Sequence, residues 1–161
     1  MNKYNEISDY FIALAGATGS YISNLKLQKL MYYVQAWHLA IYEEPMFNSK
    51  FEAWVHGPVL PELYVDYKSF GYTPISLEKY KDADDCDKYI KTFKVNLGEK
   101  ASFIEEVTEE YFGEDAYTLE DMTHKETPWI EARNGLPPDV PSNNIISEDT
   151  MKDFYKKYIA A

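Results

Sequence analysis

The chain has 161 residues, 45% of them hydrophobic and 27% charged, which matches one globular domain spanning 1–161 with a sizeable core. A net charge of -11 repels phosphate backbones and attracts basic partners, so direct nucleic-acid binding drops out as a function class. With one cysteine, no signal-type apolar segment in MNKYNEISDY and no run near the roughly 18 to 20 apolar residues of a membrane span, the expected setting is the reducing cytoplasm, away from any membrane.

Ile7, Tyr10, Phe11 and Leu14 have the i, i+3, i+4, i+7 spacing of an amphipathic helix over about 5–14, which GATGS interrupts. Ser23 or Asn24 caps the next helix, about twenty residues of LKLQKLMYYVQAWHLAIYEE that end before Pro45. Its apolar face is Leu27, Leu30, Met31, Val34, His38 and Ile41, widened by Tyr33 and Trp37, and its length of about 30 Å suits a central helix. FEAWV alternates as a short strand with an aromatic on each face, and His56-Gly57-Pro58 makes the bend that follows. Pro61 opens a helix carrying Leu63, Tyr64, Tyr67 and Phe70, which Gly71 stops.

The stretch from Tyr80 to Phe93 reads as a weak helix or irregular linker. Residues 99–111 form a helix with Phe103, Ile104, Val107 and Tyr111 on one side and Glu105, Glu106, Glu109 and Glu110 largely on the other. A short helix over about 118–124 starts at a Thr118/Asp121 capping box, and TPWIEAR makes another turn or two with Thr127 as cap and Pro128 first. PPDVP reads as an extended connector. Ser147 caps the last helix, with Ile146 and Met151 as a hydrophobic staple and Met151, Phe154, Tyr155, Tyr158 and Ile159 as its apolar face. The expected architecture is mainly α: a compact single-domain helical fold around a long central helix, with a short strand or hairpin before a Gly-Pro turn.

Few residues carry recognisable chemistry. A calcium loop starting at Asp82 needs Gly at its sixth position and Glu at its twelfth, and Asp87 and Phe93 stand there. His38, His56 and His124 lack metal-ligand spacing, so no metal or other cofactor is expected, and His38 reads as a core histidine. Carboxylates around Cys86 oppose thiolate formation. No nucleophile elbow, phosphate loop or dinucleotide fingerprint is present, and the α-helical glutamates read as a solvated face. His56 has no nucleophile or carboxylate beside it in sequence, and Gly57 and Pro58 explain the bend without catalysis. The alternative is a small enzyme or ligand-binding domain that uses His56 and His124 in an aromatic pocket.

LKLQKLMYYVQAWHLA, FEAWVHGPVLPELY and THKETPWIEAR together resemble the Panacea domain, the SocA-like antitoxin family also described among phage-associated and genetic-element proteins. The resemblance runs from about Ile7 through Arg133, with the final helix included. It implies a mostly helical, non-enzymatic antitoxin that neutralises a cognate toxin, usually encoded beside it, by binding it. It also implies that Leu27, Leu30, Tyr33, Trp37, Trp54, Gly57, Pro58, Tyr64 and Trp129 build the scaffold. Particular members deliver the toxin to a ClpXP-type protease, and that adaptor role is an open second partner relation here. Others carry a DNA-binding module, for which this chain has no spare length.

Fifteen Tyr, eight Phe and three Trp supply material for core and interface alike. A basic partner would be steered by the negative surface and anchored by a few aromatics. The expected partner-binding residues are Trp54, His56 and Tyr64 near the bend, with Glu105 and Glu109 as part of an acidic rim. Whether Trp54 and Tyr64 are anchors or core is open from the sequence.

Overall fold

The computed structural model describes residues 1–159. It is mainly α-helical, with eight α-helices and one two-stranded hairpin among the described residues. α1 spans Tyr4–Thr18, α2 Asn24–Tyr42, β1 Glu52–Trp54, β2 Gly57–Val59 and α3 Pro61–Tyr67. α4 spans Ala83–Leu97, α5 Ala101–Tyr111, α6 Ala116–His124, α7 Thr127–Arg133 and α8 Glu148–Lys156. Among the described residues no helix is long and apolar enough to cross a membrane.

α2 is the centre, as its length suggests. Ser23 Oγ accepts from the Lys26 N–H at its start, and Glu43, at φ 60°, ends it in the left-handed conformation. α1, α3, α5, α6, α8 and β2 all pack against it, so it is buried nearly all round rather than along one stripe. Its polar residues must therefore find partners inside the protein, because an unpaired buried donor or acceptor costs about 1–3 kcal/mol. Gln35 accepts from the Met46 N–H at 2.9 Å and donates to the Phe47 carbonyl at 2.8 Å. Gln28 accepts from the Leu60 N–H at 2.8 Å. His38 is a core histidine: its Nδ1 lies 2.7 Å from the Glu44 carbonyl and its Nε2 3.0 Å from Lys100 Nζ. Ile41, expected on the buried face, is 44% exposed, while Leu39 and Ala40 in the same turn are buried.

Other expectations need correction. α1 continues into GATGS as far as Thr18, with Gly19 as its cap, and Gly16 packs against α4: a Cβ at Gly16 would lie 2.7 Å from Cys86 Sγ. The doubtful stretch around Cys86 is α4, a full helix capped by Asp82, whose side chain accepts from the Asp85 N–H. Cys86 and Phe93 are the buried residues with which it packs on α1, so its sparse apolar stripe is enough. α6 is capped by Asp115, not by Thr118, which donates its N–H to that side chain at 2.8 Å. Glu126 takes the N-cap position of α7 and Thr127 is its first residue. PPDVP is curled rather than extended, since the Pro137 and Val140 carbonyls both accept from Arg133 Nη2, at 2.7 and 2.6 Å.

α5 keeps Phe103, Ile104, Val107 and Tyr111 buried and its four glutamates exposed. Ser147 caps α8, and Ile146 and Met151 are both buried beside it. Tyr158 and Ile159, expected on the apolar face of α8, lie past its end and are exposed.

The hairpin is antiparallel, with Glu52 opposite Val59, Ala53 opposite Pro58 and Trp54 opposite Gly57. Its turn is Val55-His56, so Gly57 and Pro58 are strand residues and not the bend itself. Pro58 is tolerated because the Ala53 carbonyl opposite it faces the other edge, where it accepts from Arg133 Nη1, so the pair asks no N–H of residue 58.

Candidate functional site

The hairpin is held by three side chains from two helices, α7 and α2. Trp129 Nε1 of α7 donates to the Trp54 carbonyl at 2.9 Å, and Arg133 Nη1 to the Ala53 carbonyl at 3.2 Å. From α2, Lys29 Nζ donates to the Pro58 carbonyl at 3.0 Å. Gly57, at φ 102°, admits this approach: a Cβ there would lie 2.7 Å from Lys29 Cε and 2.8 Å from Thr123 Oγ1. Both the positive φ and the close approach demand glycine.

Lys29 is fully buried. Burial pulls its ammonium down to about 7, with the Glu120 carboxylate opposing the shift. Glu120 Oε2 lies 3.2 Å from His56 Nδ1, while Glu120 Oε1 is buried without a hydrogen-bond partner among the described residues. His124 stacks on Trp129 with ring centroids 4.1 Å apart. Burial lowers its pKa, Glu120 opposes, and Lys29 and His56 add to the lowering. Burial likewise holds the Cys86 thiol above its ordinary value, followed by Asp87, Asp82 and Asp85.

A cleft of about 390 Å³ opens on the outer side of this cluster. Trp54, His56, Tyr64, Tyr72, Tyr117 and Glu120 line it, and Asn24 and Gln28 from α2 contribute polar groups. Trp54 and Tyr64 meet at 5.0 Å with a 60° tilt, and Trp54 Nε1 donates to Glu52 Oε1 at 2.9 Å. Both are half-buried, so they are cleft wall, in contact with the interior on one side and solvent on the other.

Three of the five expected partner-binding residues, Trp54, His56 and Tyr64, therefore share one cleft. Glu105 and Glu109 do not: they are exposed on α5, where Glu105 Oε2 sits 3.6 Å from Lys94 Nζ. His124 also stays out of the cleft, packed against Trp129, so the two histidines of the alternative reading do not line it together. Lys29, Glu120, Tyr72 and Tyr117 escaped notice in the sequence. For Lys29 a signal existed, since Lys29, Tyr32, Tyr33 and Ala36 form their own i, i+3, i+4, i+7 stripe. Tyr72 lies in the turn after the helix that Pro61 opens and Tyr117 in the first turn of α6, where no periodicity marks them.

A family model described as "Antitoxin SocA-like, Panacea domain" matches residues 27–130, from the first turns of α2 into α7. The chain belongs to the SocA-like antitoxin Panacea domain family. The matched span contains Lys29, the whole hairpin, Glu120 and Trp129, while Asn24 of the cleft and Arg133 of its support lie outside it. It is narrower than the resemblance suggested, leaving out α1 and α8. The chain is also similar to antitoxin SocA of Caulobacter vibrioides (strain NA1000 / CB15N), 37% identical over 65 residues. That similarity covers 40% of this chain and 35% of the relative, about a third of its length. No solved structure matches the chain.

Proposed function

We propose that this Panacea domain is a cytoplasmic antitoxin that neutralises a cognate toxin, encoded by an adjacent gene, through direct protein–protein binding. The observation that carries the reading is the aromatic cleft beside the hairpin. Trp54, Tyr64, Tyr72 and Tyr117 form walls of the type that anchors protein interfaces, and Tyr72 and Tyr117 are 88% and 75% exposed. The cluster behind the cleft suits support better than catalysis: Lys29 is sealed from solvent and bonded to the strand backbone, and His124 is stacked on Trp129. His56 does reach solvent, but its carboxylate neighbour Glu120 offers it no nucleophile to activate.

The test is co-expression. The neighbouring reading frame should stop growth alone and be tolerated with this chain, and Trp54→Ala/Tyr72→Ala should weaken rescue while keeping the wild-type circular dichroism. A wild-type chain that neither binds nor rescues any neighbouring product removes the antitoxin reading. Delivery to a ClpXP-type protease is a separable step in this proposal, checked by whether the toxin's half-life shortens when the chain is present.

A further inference from the structure

A second depression lies at the other end of α2. From Gln28 to Ile41 the helix advances about 20 Å, so this surface is distinct from the cleft. It is a groove of about 570 Å³ between α2, α5 and the segment after α8. Its floor is Trp37 and Ile41 from α2 and Phe103, Val107 and Tyr111 from α5, with Ile159 closing one side. Trp37 Nε1 donates to Tyr111 Oη at 2.7 Å, so the polar ends of both rings are satisfied internally and their remaining surface is apolar. Ile41, Tyr158 and Ile159 are 44%, 61% and 46% exposed in this region.

The charge at the groove has one sign. Glu106 and Glu110 line it, and no lysine, arginine or aspartate does among the described residues. α5 carries two rows of like charge at i, i+4, Glu105/Glu109 and Glu106/Glu110, an arrangement that destabilises an isolated helix by about 0.2–0.5 kcal/mol per pair. Only Glu105 meets a cation within ion-pair distance among the described residues, Lys94 at 3.6 Å. An apolar floor flanked by uncompensated carboxylates complements a ligand with an apolar stripe and positive flanks. The three floor residues of α5, at 103, 107 and 111, span about 12 Å, the rise of two helical turns. That length admits apolar side chains at i, i+3 or i+4, and i+7 of a docked helix.

We propose that this groove binds a basic amphipathic helix of the toxin, whose apolar stripe fills the floor between Trp37 and Tyr111 and whose lysines or arginines meet Glu106 and Glu110. The proposal rests on the antitoxin reading and assigns a surface to it: the hairpin cleft takes aromatic contacts at one end of α2, and the groove takes a helix at the other.

The test has two arms. In the first, a fluorescein-labelled Leu/Lys peptide of about 18 residues, long enough to hold a helix, is titrated with the chain by anisotropy. An isomer with its leucines spread around the helix serves as control. Wild type should prefer the amphipathic peptide. Glu106→Lys/Glu110→Lys should weaken its binding on the order of tenfold or more, while Glu62→Lys/Glu78→Lys, which changes the net charge equally at exposed positions outside the groove, should not. Equal loss in both double variants, or no preference between the peptides, overturns the proposal, because binding would then follow net charge alone. In the second arm, Ile41→Asp and Glu106→Lys/Glu110→Lys, each with wild-type circular dichroism, should lose toxin rescue that Glu62→Lys/Glu78→Lys retains. If these groove variants rescue as well as wild type, the groove proposal fails while the antitoxin reading stands. If wild type itself does not rescue, the antitoxin reading fails, and with it the identity of the helix as a toxin segment.

Discussion

Replacing Lys29 with methionine should remove a pH dependence of stability that the wild-type chain carries just above neutrality. In the folded chain the buried ammonium titrates at about 7, against an ordinary value of 10.5. Between those values the unfolded chain holds a proton that the folded chain has released, so stability rises with pH across the interval. Each pH unit is worth up to about 1.36 kcal/mol for one such group, which gives about 2 kcal/mol between pH 7.5 and 9. The window is chosen against the other titrating groups. His38 and His124, both lowered from 6.5, have nearly finished their effect below it. Cys86 and the buried tyrosines are raised from 9.0 and 10.0, and act with the opposite sign above it. Lys26, lowered by burial, shares the sign of Lys29 but is present in both proteins and cancels in the difference. Methionine keeps the length of the stem under Gly57 and leaves the Pro58 carbonyl without its donor, a pH-independent cost of about 1–3 kcal/mol. Urea unfolding by circular dichroism at closely spaced pH values gives both curves. The wild-type curve should climb away from the Lys29→Met curve by about 2 kcal/mol over the window; parallel curves would refute a buried, readily deprotonated lysine.

The neighbouring carboxylate gives a companion test: Glu120→Gln removes the charge that holds the Lys29 pKa up, so the rising limb of the stability curve should begin at lower pH, and an unmoved limb would show that the two groups do not interact. Gly57→Ala combines a positive φ with two close contacts and should cost about 2–4 kcal/mol by thermal unfolding, while Gly113→Ala, which meets nothing within 4 Å, should be within about 1 kcal/mol of wild type. Equal melting temperatures for the two glycine variants would contradict the close approach of Lys29 to the hairpin. Cys86, buried beneath Gly16 with its thiolate disfavoured, should react with an alkylating reagent at pH 8 only as fast as the chain opens, and its labelling should accelerate together with unfolding in urea.

The amino-acid sequence alone determined what depends on local pattern. Ser23 and Ser147 marked helix starts because a hydroxyl can accept from an amide two or three residues on, whatever surrounds it. The period of α2 and α5, the strand before His56 and the family motifs were legible for the same reason, and with them Trp54, His56 and Tyr64 as neighbours of one bend, but not that Gly57 and Pro58 pair back as a second strand. Tertiary structure decided what depends on who packs where. Gly16 stays helical and leaves Cys86 the space a side chain would fill, and Cys86 lies on a helix whose two buried residues looked too few to fold one. PPDVP curls because Arg133 collects its carbonyls, a contact no dipeptide rule foresees. Lys29 is interior and Ile41 is exposed, the reverse of their hydropathies, because the elements packed around α2, not residue type, decide which of its positions are covered. Glu105 and Glu109 were read as the rim of the patch at the bend, but they stand on the exposed face of α5 and line no part of the cleft. Which helix face meets the hairpin is set by how the helices pack, and spacing along the chain does not encode it.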